Sequence, residues 1–155
     1  MTTHDASPER DTLDDLEMEL ASGIAAFESK QFSRAAGLLS RLAELGNQEA
    51  RYRMAIMAQN GLGMLPNPLL AYSYMKSAAK AGLGVAQHGL GFMYLQGECT
   101  DRDPAKAAEW FRLAAEQGLI GSMTTLAIMY QEGNGVPLDL EEARRLYRLA
   151  GFEEA

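Results

Sequence analysis

From residue 13 onward, apolar and small residues recur at three- and four-residue intervals in short blocks, each closed by glycine or a polar turn. That interval lines one face of a helix and is wrong for a strand. The spacing predicts first helices over 48–60, 84–97 and 120–133, with Ala50, Met54, Met57 and Ala58 forming the stripe of the earliest. They stop at "NGLG", "QGECT" and "EGNG", where a left-handed cap is needed. Second helices are predicted over 68–81, 104–117 and 140–150. Asn67, Asp103 and Asp139 stand before them, where a side-chain oxygen accepts from the free amides of a first turn, and Pro68 and Pro104 suit that turn. Ahead of these, Leu16, Leu20, Ile24 and Phe27 form one stripe. A turn at Ser29-Lys30-Gln31 follows, and then a second stripe of Phe32, Ala35, Leu38, Leu39 and Leu42. This reads as a shorter hairpin.

The blocks repeat with a period of 36 residues. The same shift aligns Ala35, Ala71, Ala107 and Ala143, then Gly46, Gly82 and Gly118, then Met57, Met93 and Met129, without a gap from about Phe32 onward. A period of this size means stacked supersecondary units. The expected architecture is all-α: a right-handed superhelical α/α solenoid of four hairpins, eight helices in total. Its divisions are an acidic disordered tail at 1–12, a hairpin at 13–46, and repeats at 47–82, 83–118 and 119–155 in one continuous domain. The alanine columns allow close helix approach, and the aromatics Tyr74 and Trp110 fill the space between successive pairs.

Composition narrows the function classes. With 155 residues, 47% hydrophobic and 23% charged, the chain matches one soluble globular domain. The net charge of −7 argues against nucleic acid, which needs a basic face. The charge is uneven: residues 32–83 hold 2 acids and 6 bases, between acidic flanks. No apolar run approaches the ~20 residues that span a bilayer, so no membrane role is expected. Cys99 is the only cysteine and reads as a structural thiol in a reducing compartment. The polar opening "MTTHDASPERDTLDDLE" lacks the regions of a signal peptide, so the expectation is cytoplasmic.

No catalytic signature, cofactor motif or metal-ligand spacing stands out. His4 falls in the expected tail, and His88 reads as a helix-face residue. "GLGVAQHGLG" lies on a turn between repeats and lacks the lysine and strand context of a phosphate loop. The expectation is a protein that is not an enzyme and carries no cofactor or metal.

The run "AEWFRLAAEQG" followed by "SMTTLAIMYQEGNGVPLDLEEA" resembles the Sel-one-like repeat, a relative of the tetratricopeptide repeat with a longer interhelical loop. The pattern is present across Ala86–Ala150, with a looser copy over Ala50–Ala86; the first hairpin is similar only as a generic relative. The resemblance implies protein binding, in roles such as bacterial signalling adaptors, and not catalysis. Cys99 and Thr100 depart from Gly135 and Val136 of the next copy, so a less regular second loop is expected. The cysteine-rich branch of the family clamps each repeat by a disulfide; one cysteine cannot do so.

In such solenoids the first helices line the concave side, and removing the packing columns exposes the informative positions. These are Tyr52, His88 and Thr124; Arg53, Gly89 and Thr125; Ile56, Phe92 and Ile128; and Gln59, Leu95 and Gln131. In the Ile56 column the family commonly has a polar residue, whereas all three here are large and apolar. They are either an exposed binding stripe or positions buried by a tight superhelix. Arg51 and Arg53 lie beside them and suit an acidic peptide. The leading expectation is an adaptor that grips a partner helix or peptide with Arg51, Tyr52, Arg53, Ile56, Gln59, His88, Phe92, Leu95, Thr124, Ile128 and Gln131. Phe92→Ala is then expected to spare folding. The alternative is a structural subunit or homo-oligomer joined through its terminal helices, with an exposed Leu146 and Tyr147 face as its marker.

Overall fold

The computed structural model describes residues 12–152. Among them are eight helices and no strand: α1 (Leu13–Glu28), α2 (Phe32–Glu44), α3 (Gln48–Asn60), α4 (Pro68–Lys80), α5 (Gly84–Gln96), α6 (Pro104–Glu116), α7 (Ile120–Glu132) and α8 (Leu140–Leu149). They pair as four hairpins, and each second helix also packs on the first helix of the next hairpin. This is an all-α solenoid. Residues 1–11 of the expected tail lie outside the described residues. Thr12, assigned to that tail, instead closes a capping box with Asp15 and starts α1.

The caps follow the local chemistry. Side chains of Asn47, Asn67, Asp103 and Asp139 accept from the amides of Ala50, Leu70, Lys106 and Glu142, satisfying donors that a first turn leaves free. After α3, α5 and α7 the chain turns through the left-handed Gly61, Gly97 and Gly133, at φ of 66°, 70° and 66°. Two residues later comes a second left-handed column: Gly63, Cys99 and Gly135 at φ of 67°, 64° and 75°. A β-carbon on Gly63 would lie 2.4 Å from the Phe32 carbonyl carbon, and one on Gly135 2.4 Å from the Pro104 carbonyl oxygen. Cys99 carries a β-carbon in this strained region, yet the second loop is not irregular. Asp103 N–H donates to the Tyr94 carbonyl at 2.8 Å, as Asn67 does to Ala58 and Asp139 to Tyr130. The shared hydrogen bonds impose the loop shape, and Cys99 absorbs a left-handed cost of about 1–2 kcal/mol. Burial and the Glu98 carboxylate push its thiol up, which suits an inert residue.

The core is built of small and flexible side chains. Ala35, Ala71, Ala107, Ala78 and Ala114 are wholly buried where helices approach closely. Met57, Met93, Met129, Leu90, Leu126 and Phe111 fill the space that the alanines leave. One cluster occupies α1–α3 and the other α3–α8; Met64 and Tyr74 pack against both, so the core is continuous along the stack. Trp110 packs on the second cluster as inter-repeat filling. At the far end the expected marker of self-assembly fails. Leu146 is only 3% exposed, because it shares the column of Tyr74 and Trp110 and turns into its own hairpin. Tyr147 is half-buried, donates to Gln131 Oε1 at 3.1 Å and meets Phe152 edge to face.

Candidate functional site: the wall of first helices

The first helices of successive hairpins are neighbours. Arg53 of α3 sits 6.0 Å from the Phe27 ring of α1, and Gln59 at the end of α3 donates to Glu98 just after α5 at 2.7 Å. His88 Nδ1 of α5 is 2.6 Å from Ser122 Oγ of α7. The candidate positions therefore lie along one surface made by several helices.

That surface is graded in exposure. Ile56 and Phe92 are half-buried and pack against the core, whereas Ile128 is 44% exposed. Leu95 and Tyr52 also lean on the core. The Phe92 ring meets His88 at 4.9 Å and the fully buried Phe111 at 5.0 Å between centroids, both edge to face. Phe92 is thus part support and part surface. The row continues into the first hairpin, which the 36-residue alignment hides. The α1–α2 turn has three residues (29–31) where the α3–α4 turn has seven (61–67), so α1 pairs with α3 at an offset of 32. That offset matches buried Gly23 and Ala26 to buried Ala55 and Ala58, and sets Ile24 in the column of Ile56. Each hairpin contributes one large apolar side chain: Ile24, Ile56, Phe92 and Ile128.

Polar members of the set are turned to the protein itself. Thr124 and Thr125 hydroxyls donate to the Gly121 carbonyl at 3.0 and 2.8 Å, and Gln131 accepts from Tyr147. Gly89 fits because Met75 fills the place a β-carbon would take. Both arginines, expected to hold a partner's carboxylates, also have partners within the protein. Arg51 donates from Nε to the Ala43 carbonyl and from an Nη to Ser77 Oγ, both at 2.8 Å, tying α2, α3 and α4 together. Gln87, one period later, does the same at the next junction: its Nε2 donates to the Ala79 carbonyl at 3.2 Å and its Oε1 accepts from Gln117. The shared column of Arg51 and Gln87 was the available signal for this bracket, since it points at carbonyls that a helix end leaves free. Arg53 is paired with Glu49 Oε2 at 2.6 Å, with only 15% of its side chain exposed.

His88 and Ser122 have the contact distance of a base and a nucleophile, but Ser122 is completely buried and its oxygen cannot meet a substrate. Their role is to join two repeats. Burial holds the His88 imidazole below its usual pKa. The unfolded chain then binds this proton more readily, so the contribution is intact above the unfolded value near 6.5 and is lost as pH falls toward the folded one. Thermal unfolding between pH 7 and 5 is expected to show a falling Tm, and His88→Gln is expected to flatten part of that slope. His4 lies outside the described residues. Among the described residues no cluster of His, Cys, Asp or Glu could hold a metal ion, and no helix is long and apolar enough to cross a membrane.

Three repeats of the Sel1 repeat family match residues 48–83, 84–119 and 122–151, about two thirds of the chain. The chain belongs to the Sel1-repeat family. Sel1-repeat proteins generally mediate protein–protein interaction and are scaffold-like. Among solved structures, the chain is similar to c5321, a protective antigen of uropathogenic Escherichia coli with an SLR fold. The match has 32% identity and a TM-score of 0.80, covering 91% of this chain and 33% of that one. It is also similar to a Sel1 repeat protein from Oxalobacter formigenes, with 27% identity and a TM-score of 0.80, covering 85% of this chain and 53% of that one. Helicobacter pylori cysteine rich protein B shares the fold at 18% identity and a TM-score of 0.55, covering 92% and 93%. The chain thus spans about a third and about half of the first two relatives' lengths. No functionally curated protein matches it.

Proposed function

We propose that this Sel1-repeat protein is a non-catalytic adaptor whose wall of first helices binds an apolar helix of a partner protein, in the concave-face manner expected of α-solenoids. The observation that carries the reading is the row Ile24, Ile56, Phe92 and Ile128, one large apolar residue per hairpin with no charged residue in its column. Along this wall α5 carries no formal charge, Arg53 of α3 is paired with Glu49, and the acids of α1 fall outside the column, four of them in residues 14–19 and the fifth at Glu28. An apolar row favours a partner that brings its own backbone hydrogen bonds. A helix does so; an extended peptide would leave amides and carbonyls unmatched, since the wall offers no strand edge. Arg53, paired with Glu49, serves mainly as a structural residue, and Arg51, bonded only to neutral groups, stays at the rim of the binding set. Tyr52, His88, Leu95, Thr124, Gln59 and Gln131 remain as its flanks. We place the adaptor in the cytoplasm, in a signalling role, on the resemblance and the single cysteine.

A photo-crosslinking residue placed at Phe92 or Ile128 tests this in cells that make the protein. The expected result is one polypeptide captured from both wall positions and none from Glu109, exposed on α6. Capture from Glu109 with none from the wall contradicts the reading. Self-assembly through the terminal helices now draws on Leu149 and Phe152, 57% and 55% exposed, in place of Leu146. A monomer by light scattering at micromolar concentration dismisses it.

A further inference from the structure

A second cluster lies away from the wall, where α4, the end of α5 and the start of α6 meet. Tyr72 of α4 and Tyr94 of α5 have their hydroxyl oxygens 2.6 Å apart and their rings edge to face at 6.0 Å. A lysine stands over each: Lys76 Nζ is 5.4 Å from the Tyr72 ring centroid and Lys106 Nζ is 5.6 Å from that of Tyr94. Ring contact engages one side of an ammonium and leaves its other N–H groups for a further acceptor. Neither lysine has an ion-pair partner among the described residues. Two acids of this edge have neutral hydrogen-bond donors and pair with neither lysine: Asp103 Oδ1 accepts from the Lys106 backbone amide, and Glu98 accepts from Gln59.

The field at the Tyr72 oxygen is positive although the chain is acidic overall and the Asp103 charge reaches Tyr94. Burial pushes the Tyr72 phenol up, but hydrogen bonds with Tyr94, Lys76 and Thr100 and the Lys76 charge outweigh it and hold the group below its usual pKa. Tyr94, buried and hydrogen-bonded to Tyr72, is held above its own. Either hydroxyl can donate in the Tyr72–Tyr94 bond, and Lys76 stands beside Tyr72, which suits negative charge there. Each lysine is a separate point charge on a different helix, with no guanidinium fork and no nest of amides. This arrangement suits two carboxylates spaced along one segment better than one compact anion.

We infer that Lys76, Lys106 and the Tyr72 hydroxyl form a docking point for an acidic segment of a partner protein, with the segment's carboxylates taken one to each lysine. The point uses no residue of the wall and stands whether or not the wall binds a helix. A net charge of −7 disfavours such a segment overall, and the other basic residues at 32–83 are a second place it could bind, so the lysine double variant is what assigns binding to this point.

Fluorescein-labelled hexaglutamate is the probe, read by anisotropy at low salt, with hexaglutamine as the uncharged control. The wild type is expected to bind hexaglutamate and not hexaglutamine. Lys76→Gln/Lys106→Gln, which keeps most of both stems, is expected to weaken it by about tenfold or more with Tm unchanged. Phe92→Ala is expected to leave the affinity as it was. Bound hexaglutamate is also expected to raise the Tyr72 phenol's titration midpoint, followed by phenolate absorbance and absent in Tyr72→Phe. No binding by the wild type, equal affinity in the double variant, equal binding of hexaglutamine, or loss in Phe92→Ala would each overturn the assignment.

Discussion

Phe111→Ala is expected to destabilise the protein by about 3–5 kcal/mol, a large part of the 5–15 kcal/mol that holds an ordinary domain together. Phe111 is wholly buried and is the largest such side chain in the stack. Its ring meets Phe92 at 5.0 Å and His88 at 5.6 Å, and Gly91 leaves room for it: a β-carbon there would lie 2.8 Å from the ring. The lining comes from α5 and α6, each tied to further neighbours on either side, so the cavity has little freedom to collapse. Equilibrium urea unfolding at neutral pH measures the effect. Leu113→Ala, on the same helix but 44% exposed, is the control and is expected to cost under about 1 kcal/mol. If the two variants lose the same stability, Phe111 is not the keystone of the second and third repeats.

Phe92→Ala is expected to act twice. Its contacts with Phe111 and His88 make fold neutrality untenable, and the loss is about 1–2 kcal/mol in unfolding free energy, less than for Phe111 because the ring is only half-buried. The partner's affinity is expected to fall by at least about 2 kcal/mol if the ring anchors it. Phe92→Leu separates the two effects: it retains apolar packing and is expected to recover most of the stability and only part of the affinity. Calorimetric titration of the cross-linked partner, beside urea unfolding of each variant, supplies both numbers. A variant that loses stability and binds normally assigns the ring to the core alone.

Much of the fold was legible because one rule repeats. The helix bounds, the Asn and Asp caps and the glycine stops are local features, and the 36-residue period carried each from one copy to the next. Features that depend on where a side chain points across a junction were not legible. Arg51 was legible as a rim cation, but its bond to the neighbouring carbonyl of Ala43 was not. Leu146 looked like an exposed end, yet its column turns inward. Cys99 looked like a disruption, although the hydrogen bonds at Tyr94 and Met93 that shape the loop are indifferent to the side chain between them. Ile24 was missed as a wall residue because the shorter first turn shifts its helix by four residues against the period. The Tyr72–Tyr94 pair joins residues 22 apart on different helices, a distance that no periodic reading of one helix face contains.

The measurement that bears most directly on the wall is the partner's dissociation constant for Ile128→Arg. Ile128 is exposed enough that arginine leaves no cavity and buries no charge in the free protein, so Tm is expected to stay where it is. A bound helix must desolvate that charge, and the affinity is expected to fall by at least about tenfold. An unchanged dissociation constant at unchanged Tm would contradict a partner lying along the first helices.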